Sequence, residues 1–157
     1  MSLYIFRGLP GAGKSKRARE LADKLHCTLI EPDAMLYQDD EYRYTPDRYD
    51  YAWNTCMRIL EAMQESSLKP DVVFADVLPS ASDIAEIEAM YGETARKITT
   101  LEIDLPTARR RNIHNVSEQD LRMMSELFER IEGPNAVIED AMDQVTYEPI
   151  NDMPEGW

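Results

Sequence analysis

Gly8-Leu9-Pro10-Gly11-Ala12-Gly13-Lys14-Ser15 fills every position of the pattern G-x-x-x-x-G-K-[ST]. Small residues at that spacing let successive backbone N–H groups curl around phosphate oxygens, the lysine neutralises β/γ charge, and the serine hydroxyl can ligate Mg²⁺. Such a loop needs a strand before it and a helix behind it. Leu3-Tyr4-Ile5-Phe6 supplies an apolar run of strand formers. Ala18, Leu21, Ala22 and Leu25 fall at i, i+3, i+4 and i+7 as one apolar helix face, with Lys16, Arg17, Arg19, Glu20 and Lys24 on the others. Strand, loop and helix in that order predict a site for a nucleoside triphosphate, ATP or GTP, with Gly8, Leu9, Pro10, Gly11, Ala12, Gly13, Lys14 and Ser15 as its binding residues.

The rest of the chain bounds what surrounds that site. A length of 157 residues suits one domain spanning 1–157. With 43% hydrophobic and 30% charged residues the composition is that of an ordinary globular protein, and no apolar stretch is long enough to cross a membrane. The first apolar run is broken by Arg7 and followed at once by the glycine-rich loop, so no leader peptide is expected there. Cys27 and Cys56 lack metal-ligand spacing and read as small buried hydrophobes in a reducing, cytoplasmic setting. A formal charge of −13 argues against sequence-blind adhesion to a polyanion, so any nucleic-acid contact has to be local. From Glu132 to Trp157 there are seven acidic residues and no Lys or Arg, whereas Arg109-Arg110-Arg111 is the densest basic cluster.

Along the chain, Cys27–Ile30 predicts a second strand ended by Glu31-Pro32-Asp33. Tyr37 to Pro46 is polar and aromatic without clean periodicity and reads as a loop. Tyr49, Ala52, Trp53, Cys56, Ile59, Leu60 and Met63 predict a helix from Asp47 to about Glu65. Val72–Val77 is a continuous apolar run carrying the single acid Asp76, the pattern of a buried parallel strand. A helix from about Ala81 to Tyr91 and a strand from about Lys97 to Asp104 follow. The basic segment Pro106–Asn115 leads to a helix capped by Ser117 and Asp120, with Leu121, Met124, Leu127, Phe128 and Ile131 on its apolar face and Gly133-Pro134 at its end. Ala136–Ile138 and Gln144–Tyr147 are short strand candidates, and the tail from about 148 to 157 is expected to fray. Met35, Met57, Met63, Met123 and Met124 read as core filler.

Strands alternating with helices predict an α/β fold: a parallel sheet of about five strands with helices on both faces, its ligands gathered beyond the carboxyl ends of the strands. Asp33, Asp76 and the arginines would project there with the phosphate loop. Asp33 is the candidate general base for transfer to an alcohol, or else an N-cap for Ala34-Met35-Leu36. Asp76 is the candidate to hold a Mg²⁺-bound water or orient a substrate group, or else an ion-pair partner. Arg109, Arg110 and Arg111 sit where a lid would cross the phosphates, and one arginine there offsets charge built up during transfer, or else they are a solvated basic run at a helix start. Tyr37, Tyr42, Tyr44, Tyr49 and Tyr51 either stack bases or pack the loop onto the next helix.

The order GLPGAGKS, Glu31-Pro32-Asp33, Glu41-Tyr42-Arg43-Tyr44-Thr45, Phe74-Ala75-Asp76, Ile103-Asp104-Leu105-Pro106 and Arg110-Arg111-Asn112 resembles the 5′-kinase domain of phage polynucleotide kinase and its small phage and bacterial relatives. The likeness runs from about Tyr4 to Ile131. It implies a P-loop NTPase/kinase fold with a small arginine-bearing lid, ATP and Mg²⁺ as cofactors, and transfer of the γ-phosphoryl group to a hydroxyl on a nucleic acid or nucleotide. By the same resemblance Lys14 and Ser15 take the phosphate and metal positions, Asp33 that of the general base, Arg111 and then Arg110 that of the lid arginine, and Asp76 that of a carboxylate near the acceptor. The implied compartment is the cytoplasm, that of a host for a phage-encoded chain. Where those kinases place an arginine after the base to grip the acceptor's phosphate, this chain has Ala34, Met35, Leu36 and Tyr37. Hydroxymethyl groups on modified bases, nucleosides and other small alcohols therefore stand beside the 5′-hydroxyl as acceptors, and a nucleotide-gated interaction protein is the non-catalytic alternative.

Overall fold

The computed structural model describes residues 2–111 and 116–141. Among them seven strands and five helices follow one another as β1 (Leu3–Gly8), α1 (Lys14–Leu25), β2 (Thr28–Ile30), β3 (Tyr37–Gln38), β4 (Glu41–Tyr42), α2 (Pro46–Glu65), β5 (Val72–Asp76), α3 (Ala81–Tyr91), β6 (Lys97–Glu102), α4 (Leu105–Arg110), α5 (Glu118–Leu127) and β7 (Ala136–Asp140), with a 3-10 turn over Pro32–Leu36. Five strands form one sheet in the order β2-β5-β1-β6-β7, every pairing parallel. The predicted α/β architecture, five strands included, is the one observed.

Alternation along the central strands sorts the core into two faces. Leu3 and Ile5 of β1, with Val72 and Phe74 of β5, point to α2 and α3, where Cys56, Met57, Leu60, Ile84, Ile87 and Tyr91 close over them. Phe6, Val73 and Ala75 point the other way and meet Ala18 and Ala22 of α1. All five residues of β5 are buried, which is why that strand reads as an unbroken apolar run. Each large side chain buried in this way contributes about 1.5–3 kcal/mol.

Helix starts follow their caps. Thr45 accepts from Arg48 N at 3.1 Å, with Pro46 in the first turn. Ser80 and Asp83 form a capping box. Asp104 and Ser117 accept from Thr107 N at 2.8 Å and Asp120 N at 3.1 Å.

Four expectations change. The Tyr37–Pro46 loop contains an antiparallel hairpin, Tyr37 opposite Tyr42 and Gln38 opposite Glu41, whose turn places Asp39 and Asp40 at φ 53° and 63°. The basic segment after Asp104 is helical as α4. Helix α5 stops at Leu127 instead of running to Ile131, because Phe128 turns extended and its ring packs inward while Leu127 stays 62% exposed. Met35 and Met123 lie on the surface rather than in the core. The Gln144–Tyr147 candidate, the tail from about 148 and Asn112–Asn115 lie outside the described residues.

Candidate active site

The carboxyl ends of β1, β2, β5 and β6 share one edge of the sheet, and the predicted site residues sit there. Gly13 takes φ 86° as the N-cap of α1, so the helix begins at Lys14 with its first N–H groups facing the loop. Gly11 is required for two reasons. Its φ is 89°, and a Cβ there would lie 2.9 Å from Cβ of Arg111. The end of α4 therefore rests directly on the phosphate loop, and Arg111 Nη1 donates to the Gly11 carbonyl at 3.5 Å. Leu9 and Ala12 pack with Ala108 and Leu121 in a small apolar cluster of their own, which seats α4 and α5 over the loop.

Lys14 curls back to donate from Nζ to the Leu9 carbonyl at 3.0 Å. Burial pushes its pKa down, and the carboxylates of Asp33, Asp76 and Glu31 work against that shift. Glu31 is the acid that sequence reasoning passed over: the Ser15 side chain is hydrogen-bonded to it, and burial raises its pKa. Asp33 lies in the 3-10 turn, whose N-cap position belongs to Glu31, so Asp33 is not the cap. Its Oδ1 instead accepts from the Tyr42 hydroxyl at 3.1 Å.

Asp76 is 1% exposed at the end of β5. In place of the alternative ion pair, its Oδ2 accepts from the Tyr49 hydroxyl, and Val77 N–H adds a backbone bond. Burial and then the nearby Asp33 charge push its pKa up to about 7. The two tyrosine hydroxyls are pushed up in turn, first by burial and then by the carboxylate each one serves. Two rings of the aromatic segment thus hold the two acids. The others extend the wall: Tyr37 meets Tyr42 edge-on at 5.4 Å, and Tyr49 stacks on Trp53 at 6.4 Å. Tyr51 is 75% exposed and takes no part in that wall.

The three arginines separate. Arg109 pairs with Glu118, and Arg110 donates to Thr107 Oγ1 at 3.2 Å, so the structure brings Arg111 rather than its neighbours onto the phosphate loop. A groove of about 350 Å³ beside α1, lined by Tyr4, Phe6, Arg17 and Lys97 among others, carries none of these groups.

Mg²⁺ fits the donors present. Glu31 Oε1 and Asp76 Oδ1 are buried oxygens without a hydrogen-bond partner among the described residues, the Ser15 hydroxyl lies beside Glu31, and all three are hard donors of the kind that cation takes directly or through water. Among the described residues no group of three or more His, Cys, Asp or Glu side chains is close enough to hold a metal alone.

A family model described as an AAA domain matches residues 3–145. The chain belongs to that AAA-domain family. Solved structures share the fold of this AAA-domain chain at low identity. A gluconokinase from Sinorhizobium meliloti 1021 superposes with a TM-score of 0.64 at 18% identity, covering 89% of this chain and 82% of its own. A sugar kinase from Janibacter sp. HTCC2649 does so with a TM-score of 0.64 at 12% identity, covering 90% and 86%. A chain of the Pnkp1/Rnl/Hen1 complex gives 0.57 at 18% identity over 74% of this chain and 40% of that one. The AAA-domain chain is therefore a phosphate-loop protein of kinase-like α/β fold.

Proposed function

We propose that this protein transfers the γ-phosphoryl group of ATP to a hydroxyl of a nucleic acid or nucleotide, with an alcohol borne on a base ahead of a 5′-hydroxyl terminus. The observation that carries the reading is the Asp33 carboxylate, fixed by Tyr42 beyond the strand next to β5 and near enough to Lys14 to act on its charge. A phosphate loop alone supplies the donor; a second carboxylate held on the acceptor side supplies the base.

The step balances simply. As the acceptor oxygen forms its bond to the γ-phosphorus, the bond to the β,γ-bridging oxygen breaks, ADP leaves with that electron pair, and Asp33 takes the hydroxyl proton. Lys14 and the loop N–H groups bear the phosphate charge, and Arg111 stands on Gly11 where charge builds up on the transferred group. Bound Mg²⁺ would polarise and neutralise the phosphates, held by Ser15 with Glu31 or Asp76 through water.

Two features of the hairpin side support an acceptor without an adjacent phosphate. Arg43 is paired with Glu41 and Arg48 is bonded to Gln38, so neither is turned to the carboxylates. The wall around Asp33 is built from tyrosine rings, surfaces that suit a flat base. The gluconokinase and sugar-kinase fold neighbours keep a small-metabolite kinase as the second reading.

The test is γ-labelled ATP offered with hydroxymethyl-modified DNA, 5′-hydroxyl DNA and RNA, nucleosides and sugars. Label on the modified base is expected, and Asp33→Asn should keep ATP binding while lowering transfer by about 10²–10⁴-fold. Transfer unchanged in Asp33→Asn removes the base; label on free sugars alone moves the protein to the second reading. Hydrolysis indifferent to every acceptor, with partner binding lost in Lys14→Ala, makes it a nucleotide-gated interaction protein.

A further inference from the structure

Arg7 is a charged side chain that neither donor nor acceptor chemistry uses. It occupies an inward position of β1, one residue before the phosphate loop, and is 0% exposed where a strand normally buries an apolar residue. Its neighbours in register are Asp76 on β5 and Thr100 on β6. Yet the guanidinium passes Asp76 by. Nε donates to the Leu78 carbonyl at 2.9 Å, Nη1 to Thr100 Oγ1 at 3.1 Å, and Nη2 to the carbonyls of Pro79 at 3.2 Å and Glu129 at 2.9 Å. Its central carbon lies 4.1 Å from the centre of the Phe128 ring.

Apart from Thr100 on β6, these partners belong to two segments far apart in sequence. Leu78 and Pro79 form the loop that leaves Asp76, with Leu78 held at φ 50°, a conformation unfavourable for a side chain that is 1% exposed. Phe128 and Glu129 are the exit from α5. The two segments are also tied to each other, Glu129 N to the Pro79 carbonyl at 2.7 Å and Ala81 N to Glu129 Oε2 at 3.3 Å. Gly8 N, the first residue of the phosphate loop, bonds the Val77 carbonyl of the same loop at 3.3 Å.

We infer that Arg7 is a positioning residue which sets Asp76 against the phosphate loop and pins the exit of α5 to the loop that leaves β5. Only a planar guanidinium serves acceptors lying in several directions at once; a lysine ammonium reaches fewer and has no flat face for Phe128. Burial lowers the Arg7 pKa to about 10, so the group stays charged at neutral pH and its N–H groups stay donors.

The kinetic half of this inference rests on the phosphoryl-transfer reading, and its structural half does not. Arg7→Met, Arg7→Lys and Phe128→Leu are made in the full chain and compared by amide hydrogen exchange with and without ATP and Mg²⁺, nucleotide affinity and turnover. In Arg7→Met, exchange over residues 77–81 and 127–131 is expected to quicken at least tenfold while β5 itself stays protected. Turnover should fall at least tenfold with nucleotide Kd changed less than threefold, and Arg7→Lys should fail to rescue it. Phe128→Leu keeps the guanidinium and should quicken 127–131 alone, with a three- to tenfold loss of turnover; it carries the test where the Arg7 variants do not fold. Turnover within threefold of the parent in a folded Arg7 variant, faster exchange spread evenly over all amides, or an unaltered Phe128→Leu each overturns the inference. A parent protein that phosphorylates no acceptor defeats the functional reading, and the exchange pattern still decides Arg7.

Discussion

Replacing Asp76 by asparagine removes a buried acid whose pKa burial has raised from 3.8 to about 7. A carboxyl group that binds its proton more tightly when folded stabilises the fold fully below its unfolded pKa, and that contribution is lost as pH rises towards the folded value. Between pH 5 and pH 7 the unfolded chain has lost the Asp76 proton and the folded chain keeps it, so parent stability falls by about 1.4 kcal/mol per pH unit from this group. Above 7 both states are ionised and the slope disappears. Over pH 5 to 8.5 the loss is thus about 2.7 kcal/mol. The asparagine of the variant carries no proton equilibrium and can still accept from Tyr49, so any fixed cost of its amide cancels when only the change with pH is read. Urea unfolding of both proteins at pH 5, 6, 7 and 8.5 measures it. With an m-value of about 2 kcal/mol/M, the midpoint of Asp76→Asn should gain on that of the parent by roughly 1.4 M across the range. A difference constant to within about 0.5 kcal/mol, or one that shrinks as pH rises, would refute the burial argument.

Gly11→Ala forces a Cβ onto Arg111 at a backbone φ of 89°, and should cost about 1–3 kcal/mol of stability and weaken nucleotide binding as α4 is pushed off the loop, which thermal unfolding and ATP titration both read. Arg111→Ala should depress turnover at least tenfold with little change in ATP affinity, whereas Arg109→Ala, which loses only an exposed pair with Glu118, should stay within threefold; equal losses count against a single acting arginine.

Donor chemistry was readable because it is local: eight consecutive residues with a strand before and a helix after specify the phosphate loop without reference to the rest of the chain. On the proposed acceptor side, only isolated acids were readable. What makes Asp33 and Asp76 a pair is Tyr42 and Tyr49, and both arrive by tertiary structure. Tyr42 depends on a hairpin whose turn is Asp39-Asp40, two non-glycine residues at positive φ in place of the Asn-Gly signal that would have announced it. Tyr49 lies on the apolar stripe of α2, so its hydroxyl was hidden behind a core reading. Helix α5 was overextended for a related reason. Phe128 and Ile131 keep helical spacing, but the ring is claimed by Arg7 and the Glu129 amide by Pro79, contacts invisible to periodicity.

Charge around the loop argues for how nucleotide arrives. Lys14 faces Glu31, Asp33 and Asp76, so the one base of the phosphate loop stands among three acids. A carboxylate and a phosphate oxygen about 5 Å apart repel by roughly 3 kcal/mol at an effective dielectric near 20, and more than one such pair would face metal-free ATP. Keeping Asp76 protonated near neutrality relieves part of this. A divalent cation relieves more, because the same oxygens then attract it, and Glu31 Oε1 and Asp76 Oδ1 have no other partner among the described residues. ATP should therefore bind at least tenfold more tightly with Mg²⁺ than in EDTA, and Glu31→Gln should shrink that ratio by improving metal-free binding. Calorimetric titration of both proteins in both conditions decides it. An affinity for ATP that ignores the metal would mean that these acids do not face the phosphates at all, and would return Glu31 and Asp76 to the role of structural hydrogen-bond acceptors.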